Sequence, residues 1–392
     1  MSEDLIGSEK QISEELAYCS EVVDITREIL QKGYLKKRKS STEKPRELHI
    51  ELTYRCNLRC LMCDLWDAHT RSNNQTKNPE LTHADIERLC SDTELLDDIE
   101  TVVLSGGEPF LVDDFVETLI FFKKRMPKSF IWVLSNLYDS KLILSSLGQI
   151  AKRHEVDFGI GTSLDGGEFV HNKIRGSSDS FQRLMDTLKD IRREFPKVKF
   201  FISFTITPLN FKEIFDVYLL ARQMDIPFSA QFSVERLAGR GKFRWSSQEL
   251  DCIEEQAAKI VYSLISPLPK KHFIENLKKG HIHPDLFAQL VYWGNLVRHQ
   301  REGRRMFQEC PARSRFFMLS AEKEVYFCPI LKYEPIGKTD DRTIDEIWYS
   351  EAAARLRRRI NEGNCHCWLN CIVYPLAVEA LSNFRQKPGE AE

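Results

Sequence analysis

The sequence lacks any long apolar run. Its longest stretch without a charged residue, 363–378, covers 16 residues and is interrupted by Asn364, His366, Asn370 and Pro375. A membrane-spanning helix needs about 20 mostly apolar residues, so no span is expected. The opening residues, MSEDLIGSEK, are acidic and hold no apolar core of a secretory signal. A cytoplasmic protein is the expectation. An excess of charge is missing too: 56 Lys and Arg face 58 Asp and Glu, for a net charge of −2. That balance argues against a nucleic-acid partner or an anionic membrane surface. There is no low-complexity tract.

What is present is an ordinary globular composition, 42% hydrophobic and 29% charged over 392 residues, with an unusual cysteine content. At about 150 residues per domain the length predicts two to three domains. Without an export signal the eleven cysteines do not suggest a disulfide framework. Cys19, Cys90 and Cys252 are isolated in helix-like stretches and read as buried, inert thiols. The other eight fall into two groups, Cys56, Cys60 and Cys63 early and Cys310, Cys328, Cys365, Cys367 and Cys371 late. Grouped thiols in a reducing compartment suggest metal.

Residues 1–45 read as an N-terminal helical extension ending in a basic linker. From residue 46 to about 240, β-branched and aromatic runs at 48–53, 99–105, 130–136, 156–164, 199–207 and 228–234 alternate with helix-period segments near 82–94, 113–126, 139–153, 179–195 and 210–224. Such alternation predicts an α/β fold with parallel strands. Six units fit a partial barrel or an open sheet; in both, the ligand site lies at the strand C-terminal ends. Residues 241–305 read as a helical linker broken at SPLPKK. Residues 306–392 hold the late cysteines, a hairpin around FFMLSAEKEVYFC and a helix near 343–361.

The early group has the spacing C-x3-C-x2-C directly after the first strand. Three thiolates can hold three irons of a cubane, and a [4Fe–4S] cluster normally takes four cysteines, so one iron stays open. A structural zinc site wants a fourth ligand, and neither His49 nor His69 has a usual spacing for one. Ser105-Gly106-Gly107-Glu108-Pro109 follows the second strand, where two glycines permit close backbone approach and a carboxylate complements an ammonium. Leu134-Ser135-Asn136 ends the third strand. The fourth ends in Ser163-Leu164-Asp165-Gly166, with His171 and Arg175-Gly176 beyond.

On these residues the chain resembles the radical S-adenosylmethionine (radical SAM) superfamily, in its SPASM/twitch branch. The resemblance covers about residues 46–378. It implies a partial (β/α)6 TIM-like barrel with a C-terminal SPASM/twitch-like iron–sulfur domain. It implies that Cys56, Cys60 and Cys63 ligate a [4Fe–4S] cluster whose open iron chelates S-adenosylmethionine. Gly106, Gly107 and Glu108 match the GGEP motif that holds the methionyl ammonium. Ser135 and Asn136 match a polar motif near the same cofactor, with Leu137 standing where the family often has glycine. Ser163 matches a ribose ligand and Arg175 a partner for the cofactor's carboxylate. Met62 stands where the family often places an aromatic beside adenine.

The late group resembles a twitch domain with one auxiliary [4Fe–4S] cluster. The expected ligands are Cys310, Cys328, Cys371 and one of Cys365 or Cys367, and Lys323 replaces the hairpin glycine. A four-cysteine zinc site is the alternative. The chemistry implied is reductive cleavage of SAM to a 5′-deoxyadenosyl radical, hydrogen abstraction from a substrate carbon, and transfer of a second electron to the auxiliary cluster. The net result would be an oxidation of a small polar metabolite such as a sugar or cyclitol. The alternatives are a maturase that modifies a peptide side chain and a non-catalytic iron–sulfur or zinc scaffold. Residues 1–45 look short for a leader-binding domain, which favours the small metabolite. An electron donor such as flavodoxin or ferredoxin is the expected partner. Thr205, Gln231, Ser233, Glu235 and Arg236, near the strand ends, are candidates for substrate contact.

Overall fold

The computed structural model describes residues 9–35, 44–63, 65, 79–233, 245–303, 305–307, 309–332, 334–362 and 367–385. Cys365, Glu235, Arg236 and His69 lie outside the described residues. The chain divides into two compact units, each built from separated stretches. One comprises 42–244 and 310–362; the other comprises 1–41, 245–309 and 363–392. The unit boundaries after 41, 244 and 309 lie close to those of the segments read from the sequence, and only 306–392 is divided, after 362.

The first unit is organised by one sheet. Strands β1 (Glu47–Thr53), β2 (Thr101–Gly106), β3 (Phe130–Leu134), β4 (Gly159–Ser163), β5 (Lys199–Ile206) and β6 (Phe228–Phe232) are all parallel and lie side by side in chain order. A doubly wound sheet reverses strand order at a switch point. This one does not, which is the winding of a barrel, and β6 has no second strand partner among the described residues. The helices between the strands are α2 (His83–Cys90), α3 (Phe115–Arg125), α4 (Ser140–Ala151), α5 (Glu168–Arg175), α6 (Ser180–Glu194) and α7 (Ile214–Gln223). All but α5 coincide with helix-period segments of the sequence. α5 is the added element, a two-turn helix after β4 stopped by Gly176 in the left-handed region at φ 70°.

The strands alternate as the pattern predicts. In β5, residues 200, 202, 204 and 206 are buried and 201, 203 and 205 are half-buried, so one face packs under helices and the other lines the interior. That interior is filled by rings. Trp132 and Phe201 meet edge to face at 4.8 Å, and a Cβ on Gly159 or Gly161 would overlap those rings. The glycines of β4 are therefore space for aromatic side chains.

The sheet continues past β1. β7 (Phe316–Leu319) pairs parallel with β1, and β8 (Glu324–Tyr326) and β9 (Gly337–Lys338) follow antiparallel. The hairpin read from FFMLSAEKEVYFC is β7–β8, and Lys323 at its turn has φ 63°. α11 (Ala312–Arg315) precedes it. α12 (Ile344–Trp348) and α13 (Glu351–Asn361) replace the single helix expected over 343–361, because Ser350 breaks the run by capping α13.

The second unit is helical: α1 (Glu9–Leu35), α8 (Ser247–Ile265), α9 (Lys270–Lys278), α10 (Pro284–Glu302) and α14 (Asn370–Arg385). Small residues let these helices approach closely. A Cβ on Gly33 would sit 2.1 Å from the carbonyl oxygen of Ala380, and one on Gly294 would sit 2.5 Å from Val23. Among the described residues no helix is long and apolar enough to cross a membrane.

Candidate active site: the cysteine loop and the strand ends around it

The loop leaves β1 at Thr53, where the β1–β2 register is irregular. Its base is closed by the 79–81 segment: Thr53 bridges to Glu80, Tyr54 N–H donates to the Pro79 carbonyl at 3.1 Å, and Leu81 N–H to that of Leu52 at 2.8 Å. Arg55 fastens it. Its guanidinium meets both Glu80 oxygens, at 2.8 and 2.9 Å, and donates to the Leu111 carbonyl at 2.6 Å. A bidentate Arg–carboxylate pair of this kind fixes geometry as well as charge.

The three thiols follow. Cys60 is buried, Cys56 and Cys63 are half-buried, and none is disulfide-bonded. Donors point at two of the sulfurs. Leu58 N–H lies 3.5 Å from Cys56 Sγ and Asn136 Nδ2 lies 3.7 Å from it. Arg175 Nη1 lies 3.6 Å from Cys60 Sγ. Burial, aided by nearby Glu108, Cys60 and Cys63, pushes the Cys56 thiol up to about 12. Amide and guanidinium donors on buried sulfur suit a thiolate held by a cation. Among the described residues no three His, Cys, Asp or Glu converge on a single metal ion. A multi-iron cluster takes one thiolate per iron and does not ask for that convergence. Three thiols on one loop fit a multi-iron cluster of this kind.

The GGEP turn is docked on this loop. Gly107 N–H donates to the Thr53 carbonyl at 2.7 Å and Glu108 N–H to that of Arg55 at 2.8 Å. A Cβ on Gly106 would sit 2.3 Å from Thr53 O, and one on Gly107 2.1 Å from Arg55 O. Gly106 also has φ 126°. The glycines thus serve first to press β2's end against the cysteine loop. Glu108 is buried, with its oxygens accepting Phe110 N–H at 3.3 Å and Asn136 N–H at 2.9 Å. Burial outweighs those bonds and raises its carboxyl to about 7. This is a carboxylate site short of positive charge.

Ser135 and Asn136 sit where β3 ends. Asn136 Nδ2 donates to Asn57 Oδ1 at 2.7 Å as well as facing Cys56. The Ser135 hydroxyl accepts Leu137 N–H at 3.1 Å and bonds Glu108. Leu137 adopts φ 55° and is wholly buried, so the backbone keeps a glycine's conformation with a leucine in place. Ser163 ends β4 half-buried, opposite Ser203 of β5. Arg175 is buried. Its Nη2 pairs with Asp165 at 2.5 Å, and its Nε has no hydrogen-bond partner among the described residues. His171, packed beside it, is held neutral: burial and the Arg175 charge lower it to about 3. Asp165 is marked in the sequence only by its motif, and Arg55, Asn57 and Glu80 stand in none. Asn57's place directly after Cys56 was the one local signal for these.

The late cysteines divide between the units. Cys310 and Cys328 are buried in the first unit, Cys328 at the end of the β7–β8 hairpin. Cys367 and Cys371 are half-buried in the helical unit. There they flank Trp368, whose indole stacks on Phe307 at 5.2 Å and donates to the Tyr292 carbonyl at 2.9 Å. Thr205, Gln231 and Ser233 lie half-buried at the ends of β5 and β6.

A β/α partial barrel carrying a three-thiol loop at its strand ends, beside a glycine-docked carboxylate, defines a class of enzyme that works through an iron–sulfur cluster. Residues 50–221 match the family model described as the radical SAM superfamily, so this part of the chain is a radical SAM domain. Such a domain implies a [4Fe–4S] cluster and SAM. The chain is 25% identical over 222 residues to the Fe-coproporphyrin III synthase of Methanosarcina barkeri, covering 53% of this chain and 51% of that one. It is 31% identical over 155 residues to AlbA, the antilisterial bacteriocin subtilosin biosynthesis protein of Bacillus subtilis, covering 38% and 31%. The matches thus span about half or less of those proteins. In fold it is similar to SuiB of Streptococcus suis bound to precursor peptide SuiA, with a TM-score of 0.54 at 15% identity, over 80% of this chain and 67% of that one.

Proposed function

We propose that Cys56, Cys60 and Cys63 hold the [4Fe–4S] cluster, that SAM lies against Glu108, and that the enzyme oxidises a peptide side chain. The observation that carries the site is the docking of Gly107 and Glu108 on the backbone of Thr53 and Arg55. It sets a buried, charge-hungry carboxylate beside three reduced thiols. When bound, cluster and cofactor together supply one-electron cleavage of the sulfonium and hydrogen abstraction from carbon. The chain's own residues do the rest. Glu108 accepts the methionyl ammonium, Ser163 faces the ribose, and the Arg175 Nε is the donor left for the carboxylate. Asn136 ties Cys56 to Asn57 and holds the end of β3 at the loop.

The peptide reading rests on AlbA, named for bacteriocin biosynthesis, and on a fold shared with SuiB, which binds a precursor peptide. It also suits the strand ends of the barrel, where Leu134, Phe169 and Leu209 are 37%, 80% and 46% exposed. Exposed apolar side chains there are compatible with a peptide, and the sugar or cyclitol expected from the sequence is the second reading. Cys310, Cys328, Cys371 and one of Cys365 or Cys367 are proposed to hold an auxiliary cluster, on the count and spacing of thiols. Flavodoxin or ferredoxin is the proposed electron donor.

The test is anaerobic reconstitution, reduction and product analysis with SAM. Parent protein should form 5′-deoxyadenosine, and the Cys56→Ala, Cys60→Ala, Cys63→Ala triple variant should not. Candidate peptides should raise turnover and lose hydrogen, whereas sugars and cyclitols should do neither. A triple variant that still cleaves SAM would refute the site, and coupled oxidation of a sugar would refute the peptide.

A further inference from the structure

The middle cysteine of the loop is gripped by one short helix. α5 ends at Arg175, and its last carbonyls take the amides on either side of Cys60. Leu61 N–H donates to Ile174 O at 2.8 Å and Arg59 N–H to Arg175 O at 3.3 Å. Gly176 follows with φ 70°, and a Cβ there would sit 2.7 Å from the Arg59 carbonyl oxygen. The same helix sends the Arg175 guanidinium back over the loop, with Nη1 3.6 Å from Cys60 Sγ and Nη2 2.5 Å from Asp165.

Asp165 is fully buried and braced from several directions. Its Oδ1 accepts Thr205 N–H from β5 at 2.9 Å, and its carbonyl accepts Asn210 Nδ2 at 3.0 Å. Its own N–H donates to His171 Nδ1 at 3.2 Å. A carboxylate anchored to two strand ends thus holds a guanidinium on a sulfur, away from water. Charges so placed act at low dielectric and are little screened.

We propose that Asp165, acting through Arg175, is a positioning residue that fixes Cys60 and sets the electron affinity of the cluster that Cys60 ligates. The inference rests on the assignment of Cys56, Cys60 and Cys63 as cluster ligands. Reduction adds negative charge to a cluster. A guanidinium at one of its sulfurs favours the reduced form, and the carboxylate behind that guanidinium cancels part of the effect. Hydrogen bonds to sulfur and net local charge are the levers by which a protein tunes such a site. Arg175 then has a task besides the cofactor contact left to its Nε.

The test is a redox titration of the SAM-free, cluster-loaded full chain, following the electron paramagnetic resonance signal that Cys56→Ala removes. Asp165→Asn leaves the guanidinium uncancelled and should favour reduction about tenfold, or about 59 mV for one electron. Arg175→Gln removes the positive charge and should disfavour reduction by about the same factor. Opposite signs do not arise from a loop that is merely loosened. Arg175→Lys keeps the charge and should stay within about threefold of the parent. Shifts of the same sign, or none, overturn the inference. Should Asp165→Asn fail to fold, the Arg175 pair decides: equal potentials for Arg175→Lys and Arg175→Gln overturn it. If the parent protein binds no cluster at these cysteines, it is the underlying site assignment that fails.

Discussion

Glu108 offers the sharpest physical test of the site, through Glu108→Gln. The carboxyl is buried with no ion-pair partner among the described residues, and burial raises it to about 7. A free glutamate titrates near 4.3. Because the folded value is raised, the stabilising condition is the protonated one. Stability is greatest below about pH 4.3, is lost as pH rises toward 7, and stays lost above it. The span between the two values corresponds to on the order of 3 kcal/mol. Glutamine keeps the shape and carries no charge, so it escapes this cost. It also gives up the anion's bonds to the Phe110 and Asn136 amides, an offset of about 1–3 kcal/mol that does not vary with pH. The difference in stability between variant and parent should therefore shift by on the order of 3 kcal/mol in the variant's favour between pH 4.5 and pH 8. Urea unfolding of the metal-free, reduced protein across that range measures it. The same variant, cluster-loaded, should bind SAM roughly 10- to 150-fold more weakly, as loss of a charge-assisted bond predicts; anaerobic calorimetry reads this. A stability gap that is flat with pH would show that the carboxyl is not desolvated as described. Unchanged SAM affinity would remove Glu108 from the cofactor site.

Three further expectations follow from the same geometry. With two cubanes per chain, reconstituted protein should approach about eight irons, and the Cys56→Ala, Cys60→Ala, Cys63→Ala variant should retain about half; iron assay decides, and a full complement in the variant would move the cluster elsewhere. Leu137→Gly relieves a left-handed backbone worth about 1–2 kcal/mol but empties a buried leucine site, at about 2–5 kcal/mol, so the variant should be less stable in thermal unfolding. Lys323→Gly gives up only a partly exposed ion pair with Asp85, so its stability should stay within about 1 kcal/mol of the parent; the reverse ranking of these two would contradict the packing described. Arg55→Met removes the tie from the loop to Glu80 and Leu111 and should lower cluster retention during gel filtration while leaving the far-ultraviolet circular dichroism unchanged; full retention would show that the loop does not depend on that anchor.

The sequence by itself determined the local parts of this protein. Thiol spacing is set within a few residues, so the cysteine loop was readable. The GGEP turn and the period-two strands were readable for the same reason, and five of the six helices between barrel strands fell on helix-period segments. α5 was missed because eight residues beginning after two glycines give too little periodicity to stand out. What joins distant positions was decided by tertiary structure alone. Six strand–helix units are compatible with a sheet or a barrel, and the unreversed order of β1–β6 chose the barrel. Arg175 reaches Cys60 across 115 positions of chain, and Asp165 acquires its place only when β4 and β5 end side by side. At Leu137 and Lys323 the family's glycine is absent, yet the backbone takes the left-handed conformation there. Surrounding contacts, a buried leucine pocket in one case and a two-strand turn in the other, outweigh a local preference of about 1–2 kcal/mol. Short-range sterics and spacing are written in neighbouring residues; which surfaces meet is a property of the whole chain's packing.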